Sequence, residues 1–289
     1  MASKCPWGTL PRMAVRAVHH LNCGTMCPLG GPLFGAHGWK AQLVAHCLLL
    51  ETDKDGLILV DTGYGMQDVQ HTSGLHRSTT LAIGAVLDPN ETAIAQVEAL
   101  GHKAADVRHI VVTHLDMDHA GGLPDFQGAK VHLHAREHMA AIAPTTFKER
   151  RRYVASQLAG ARWEVYAEDG DTWRGLPAIT KLRGVDADVG LLPMHGHTRG
   201  HSAVIVNSGS GWLVHAGDAY FHHATVEGKK PPIGFRAFEA TMAIDDPQRR
   251  ASAAALRQLH ATYPDVDIFC SHDASELARY ETRDARGVA

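Results

Sequence analysis

Between Thr113 and Gly122 the chain reads Thr-His-Leu-Asp-Met-Asp-His-Ala-Gly-Gly, which places two imidazoles and two carboxylates, His114, Asp116, Asp118 and His119, within six residues. The apolar run Ile110-Val111-Val112 leads directly into them. Imidazole and carboxylate are the side chains that hold divalent cations such as zinc, manganese and iron. Residues two apart in an extended chain share a side, so His114 and Asp116 converge on one cation without help from distant segments. Asp118 and His119 stand where the chain must leave the strand and are placed to reach a second cation. The small Ala120-Gly121-Gly122 then lets the backbone pass close to a bound ion or enter a helix. Any one of these groups alone would be a solvated residue at a strand end; four together argue for a metal site.

The segment resembles the His-x-His-x-Asp-His signature of the metallo-β-lactamase fold hydrolases, with Asp116 where most of that family carries a second histidine. Four further segments resemble that family in its own order, from about residue 57 to residue 273. Leu57-Ile58-Leu59-Val60-Asp61-Thr62-Gly63 resembles the early strand whose aspartate, here Asp61, props the metal-binding loop. Gly196-His197-Thr198-Arg199-Gly200-His201 resembles the segment of the next ligand, His197. Val214-His215-Ala216-Gly217-Asp218 resembles the strand ending in a bridging aspartate, and Ile268-Phe269-Cys270-Ser271-His272-Asp273 the one that delivers the last histidine.

The resemblance implies a fold of the α/β class, an αββα four-layer sandwich spanning residues 1–289 as a single domain. It also implies an enzyme with two divalent metal ions as cofactors. One ion would sit on His114, Asp116 and His197, the other on Asp118, His119 and His272, with Asp218 between them. A hydroxide trapped between two such ions would attack a carbonyl or phosphoryl centre, so no serine or cysteine nucleophile is required. Zinc is the first expectation. Asp116 adds a negative charge and a harder ligand than imidazole, which shifts preference toward manganese or iron and raises the proton affinity of the bound water. If Asp116 does not ligate, only one site fills. Asp118 and Tyr220 are the candidate catalytic residues. Tyr220 follows Asp218 by two positions, near where lactone-cleaving members carry a tyrosine as general acid; a core aromatic is the competing reading, and Phe221 comes next. His195 and His201 flank His197 and read as packing or as hydrogen-bond supports.

The loop from Asn22 to Gly35 carries Met26, Leu29, Leu33 and Phe34 among glycines and prolines, and suits either a pocket wall or a homodimer interface. With the motif, it resembles the lactonase-like branch more than the β-lactamases. The expected reaction is hydrolysis of a lactone or related ester of a small molecule. A glyoxalase II-like thioesterase is the nearest rival, since Gly196-His197-Thr198-x-Gly200-His201 resembles that group too. An iron-dependent oxidoreductase is the other: a diiron enzyme of this kind carries a flavodoxin domain for which no residues remain, and a persulfide dioxygenase would leave the Asp118 and His272 site empty.

Composition narrows the field. With 28 Lys and Arg against 31 Asp and Glu, the net charge is −3, so no global field draws a nucleic acid. The one dense basic run, Lys148-Glu149-Arg150-Arg151-Arg152, reads as the solvated face of a helix. Five scattered cysteines do not suggest a disulfide framework. Neither a membrane-spanning apolar run of about twenty residues nor a secretory leader is legible, so a cytoplasmic location is expected. Most of the 21 histidines, His19, His20, His132 and His134 among them, read as structural or surface residues.

The elements that must position these groups alternate along the chain. Met13 to Leu21, Ala41 to Thr52, Leu57 to Val60, Val107 to Val112 and Lys130 to His134 read as strands of a first half. Asn90 to Leu100 reads as a helix capped by Asn90; Ala135 to Ile142 and Phe147 to Leu158 read as two helices split by Pro144, the second a lid over the site. In the last third, Ser202 to Val206, Trp212 to Ala216 and Asp267 to Cys270 read as strands, with a helix from Gln248 to Tyr263.

Overall fold

A computed structural model describes residues 15–71, 75, 77–167 and 170–284. Among these residues twelve strands form two six-stranded sheets. The first runs in chain order: β1 (Ala17–Met26), β2 (Leu43–Glu51), β3 (Leu57–Val60), β4 (Val107–Val111), β5 (Lys130–His134) and β6 (Arg162–Tyr166). The second comprises β7 (Asp171–Trp173), β8 (Leu176–Lys181), β9 (Val189–Pro193), β10 (Ser202–Asn207), β11 (Trp212–His215) and β12 (Val266–Phe269), again in chain order across the sheet.

Alternation of side chains builds the layers. In β2 nearly every residue is buried. Leu48 and Leu50 point to the space between the sheets, while Cys47 and Leu49 point to the outer helices. β10 does the same on the other side, with Val204 and Val206 facing inward and Ala203 and Ile205 outward. A strand buried on both faces needs no polar side, which is why these segments read as near-continuous apolar runs. Val97, Leu123 and Phe126 cover the first sheet from outside, and Ala253, Leu256 and Leu259 cover the second. Two sheets face to face with helices outside are the αββα sandwich.

The strand directions gather one edge. β3, β4 and β5 are parallel, as are β11 and β12, and β9 and β11 are both antiparallel to β10, so β9 runs with β11. The segments Asp61, Thr113–His119, His195–His201, Gly217–Asp218 and Ser271–Asp273 therefore all follow strands at C-terminal ends. The two sheets are tied there: His46 N–H donates to the Ser271 carbonyl, and Leu43 bridges Asp273.

Several expected boundaries move. β1 continues through Met26 over a bulge between Asn22 and Thr25, so the loop begins later than its glycines suggested; residues 13 and 14 of that expected strand lie outside the described residues. The helix placed at Asn90–Leu100 starts at Ala93 with Thr92 as its cap, its side chain accepting from Ala95 N–H. The expected helix at Phe147–Leu158 is two short helices, Phe147–Arg152 and Ala155–Leu158. Strands β6 to β9 and the helix Ile233–Met242 had no counterpart in the sequence reading.

Candidate metal centre

After β4 the chain stays extended to Asp116 and then makes one helical turn, Met117–Ala120. The extended part brings His114 and Asp116 to one side; the turn carries Asp118 and His119 around to a neighbouring point. His114, Asp116, His197 and Asp218 offer ligand atoms within 4.8 Å of one another, and so do Asp118, His119 and His272. Asp218 stands between the two groups. Its Oδ2 lies 3.7 Å from His114 Nε2 and 3.2 Å from His197 Nε2. Its Oδ1 lies 3.3 Å from His119 Nε2 and 3.1 Å from His272 Nε2. Asp118 Oδ2 is 3.7 Å from His272 Nε2 and 4.0 Å from His119 Nε2.

The donors are aimed from behind. Asp61, at φ 56°, accepts from Thr113 N–H at 2.7 Å, from the Thr113 hydroxyl at 2.8 Å and from His119 Nδ1 at 2.8 Å. Aspartate is one of the few side chains that occupy this left-handed region readily. One carboxylate thus holds the metal-binding loop and orients a donor imidazole, the part expected of it. His272 Nδ1 donates to the Val44 carbonyl at 2.8 Å, and His114 Nδ1 meets the Thr113 hydroxyl at 2.9 Å. These contacts turn three Nε2 atoms inward. His201 supports Asp218: its Nδ1 donates to the Met194 carbonyl and its Nε2 accepts from Asp218 N–H at 2.8 Å. A side chain on Gly217, at φ 54°, would strike His201 Nε2 at 2.5 Å, so only glycine admits that bond. Gly121 has a similar packing role: a Cβ there would meet Asp68 and the Gly63 carbonyl, so its smallness serves the neighbouring loop rather than an ion.

The donor set fits divalent cations. Among the described residues His114 Nε2, Asp116 Oδ1, His119 Nε2 and Asp218 Oδ1 find no hydrogen-bond partner while buried, which is costly unless something positive sits between them. The electrostatics agree. Burial pulls the His119 imidazole down, yet Asp218, Asp118 and Asp61 together raise it well above its usual range. His272 is likewise raised, with Asp218 overcoming burial. Burial dominates at His197 and lowers it to about 4. The His119 and His272 side of the centre thus demands positive charge.

Two expectations are corrected. Tyr220 does not reach the centre: it is fully buried in the apolar cluster behind the second sheet, with its hydroxyl 3.3 Å from Glu276 Oε1. Phe221, the next residue, faces the site, its ring centroid 4.7 Å from that of His272. The basic run is not wholly a solvated face either. Arg152 is buried, and its Nη1 donates to Asp116 Oδ2 at 2.5 Å and lies 3.0 Å from His197 Nε2. Burial pushes the Asp116 carboxyl up, but Arg152 and then His114 hold it well below the usual carboxylate range. Glu137 also escaped the sequence reading. Its carboxylate accepts from Leu115 N–H and Gly200 N–H, joining the loops that carry His114 and His197. Its signal was faint, one buried acid in the first turn of a predicted helix.

A cavity of about 390 Å³ opens onto these donors. Asp116, Asp118, His197, Asp218 and His272 lie at its floor; Met26, Phe34, Leu43, Ile83, Phe221 and Phe238 supply apolar wall. Lys148, Arg151 and Thr241 also line it.

Residues 42–272 match the metallo-beta-lactamase superfamily. A probable metallo-hydrolase of Mycobacterium tuberculosis is 42% identical over 267 residues, covering 91% of this chain and 82% of that protein. An N-acyl homoserine lactonase of Bacillus cereus is 27% identical over 213 residues, covering 72% of this chain and 75% of that protein. Among solved structures, an N-acyl homoserine lactone hydrolase with N-hexanoyl-L-homoserine at its catalytic metal centre superposes with a TM-score of 0.66 at 23% identity, over 91% of this chain and 96% of the other.

Proposed function

The chain belongs to the metallo-beta-lactamase superfamily as a metallo-hydrolase, and from that premise we propose that its substrate is a lactone or related ester bearing an apolar substituent. The observation that carries this reading is the cavity, with metal donors on its floor and predominantly apolar walls. The hydroxyls of a sugar would find few partners on the apolar part of the wall, whereas an acyl tail buries against it.

Two divalent ions, with zinc the first choice, held by His114, Asp116, His197, Asp118, His119, His272 and Asp218, would supply an ionised water near neutral pH and polarise the scissile carbonyl. The remaining work falls to this chain. Asp61 and Thr113 fix the loop so that the donors need no reorganisation. Asp118, whose side chain is 15% exposed, is the donor carboxylate most open to the cavity, and we assign its carboxylate the task of taking the proton given up by the attacking water and passing it to the leaving alkoxide. Phe221 and Phe238 exclude water from the acyl side. Exposed Leu29, Leu33 and Trp39 support a homodimer through the N-terminal loop. Among the described residues no helix is long and apolar enough to cross a membrane. Among the described residues Cys23, Cys27, Cys47 and Cys270 are free thiols, in keeping with the cytoplasmic location we propose.

Purified, zinc-loaded protein offered N-acyl homoserine lactones of increasing chain length should hydrolyse them, with kcat/KM rising as the acyl chain grows. Turnover of glutathione thioesters with none of the lactones would replace this reading by the thioesterase one.

A further inference from the structure

Arg152 is an unexpected cation to find among metal donors. Its side chain is 4% exposed, and its guanidinium is bonded on three sides: to Asp116 Oδ2, to His197 Nε2 and, through Nη2, to the Met242 carbonyl. It has not drifted in from the surface. The helix that bears it, Phe147–Arg152, begins at a Thr146 and Glu149 capping box, and Arg199 grips Glu149 with two nitrogens. Lys148 is fastened to the carbonyls of Thr241 and Ala243 at 2.8 and 2.7 Å, where the helix Ile233–Met242 ends. By contrast, among the described residues no lysine or arginine bonds to Asp118, His119 or His272, whose charged neighbours are Asp218 and Asp61.

We propose that Arg152 is a resident cation of the cluster formed by His114, Asp116 and His197, and that it makes the protein load its two metal sites unequally, the Asp118, His119 and His272 side first. The inference rests on the metallo-hydrolase reading above. A lone pair on His197 Nε2 that accepts from the guanidinium is not free for a metal, and a fixed positive charge so close repels a divalent ion. Asp116 and Arg152 then form one unit. With a neutral imidazole at position 116, a buried arginine would lack its compensating carboxylate, a strongly unfavourable arrangement. The departure from His-x-His and the buried arginine explain each other.

The test is a zinc titration of chelator-stripped protein by calorimetry, with ions counted by plasma mass spectrometry. The native chain should bind one ion tightly and a second on the order of tenfold or more weakly. Arg152→Met should tighten the second step by about the same factor and leave the first unchanged. Arg152→Lys should keep the steps apart. Should Arg152→Met fail to fold, Asp116→His with Arg152→Met removes both charges together and should take two ions with similar affinity. Two equal steps in the native chain, or an unchanged or weaker second step in Arg152→Met, would overturn the proposal. The latter is what a purely structural arginine would give. Absence of any zinc binding would instead bring down the metallo-hydrolase reading itself.

Discussion

The two sides of the metal centre share Asp218 yet are built differently. On one side, His119 and His272 are braced from behind by Asp61 and the Val44 carbonyl, and among the described residues the charged groups paired with them are carboxylates. On the other, His197 Nδ1 has no hydrogen-bond partner among the described residues, and its Nε2 faces the Arg152 guanidinium. The first side is organised around a positive charge still to be supplied; the second already has one. The contrast shows that a single substitution in a ligand motif, Asp116 for histidine, is answered by a residue thirty-six positions away that no ligand pattern includes.

The largest effect expected is from Asp218→Ala, which removes the carboxylate both sides use. Lactone hydrolysis should fall by about a thousandfold or more, and neither side should retain its ion after dialysis against chelator. Retention of two ions would show the sides to be independent. Asp61→Asn sharpens the comparison, because Asp61 bonds His119 directly but reaches the Arg152 side only through Thr113, whose hydroxyl meets His114 Nδ1. Loss of an orienting acceptor of this kind costs about 10- to 100-fold in metal affinity, and the loss should fall on the Asp118, His119 and His272 ion when measured by competition with a chromogenic chelator.

The pair Tyr220 and Phe221 gives a smaller contrast. Phe221→Ala should raise KM for long-chain lactones by about tenfold through lost apolar contact. Tyr220→Phe should leave kcat/KM within about threefold and lower stability by about 1 kcal/mol, as loss of one buried hydrogen bond does. The opposite pattern would return Tyr220 to the reaction.

Smallest is a pH effect away from the metals. Burial raises the Glu276 carboxyl to about 8, where it accepts from Cys270 N–H at 2.7 Å. The folded chain then holds that proton more tightly than the unfolded chain, whose glutamate titrates near 4.5. Its contribution to stability is full below about 4.5 and is lost as pH rises toward 8. Glu276→Gln should flatten the fall in Tm between pH 5 and 8; an unchanged slope would locate that dependence elsewhere.

Much of the centre was legible because its donors sit in short runs at strand ends. His114, Asp116, Asp118 and His119 are consecutive enough for local geometry to group them, and β3, β5 and the helix Ala135–Ile142 fall where pattern alone put them. What the sequence did not disclose depends on long-range packing. Tyr220 and Phe221 differ by one position, so which of them faces the cavity is settled by how the chain leaves β11 rather than by residue type. In the helix Phe147–Arg152, Glu149 and Arg152 are three apart and share its buried face. That inward face is charged, so a hydrophobic pattern reads it as outward. Strands β7 and β8 are short and partly exposed, which leaves little alternation to detect.

We assign His114, Asp116, His197, Asp118, His119, His272 and Asp218 to a two-metal centre. Protein dialysed to equilibrium against saturating zinc and counted by plasma mass spectrometry should hold two ions per chain, with His119→Ala and His197→Ala each reducing the count to one. A native count of one or none, unchanged by both substitutions, would contradict it.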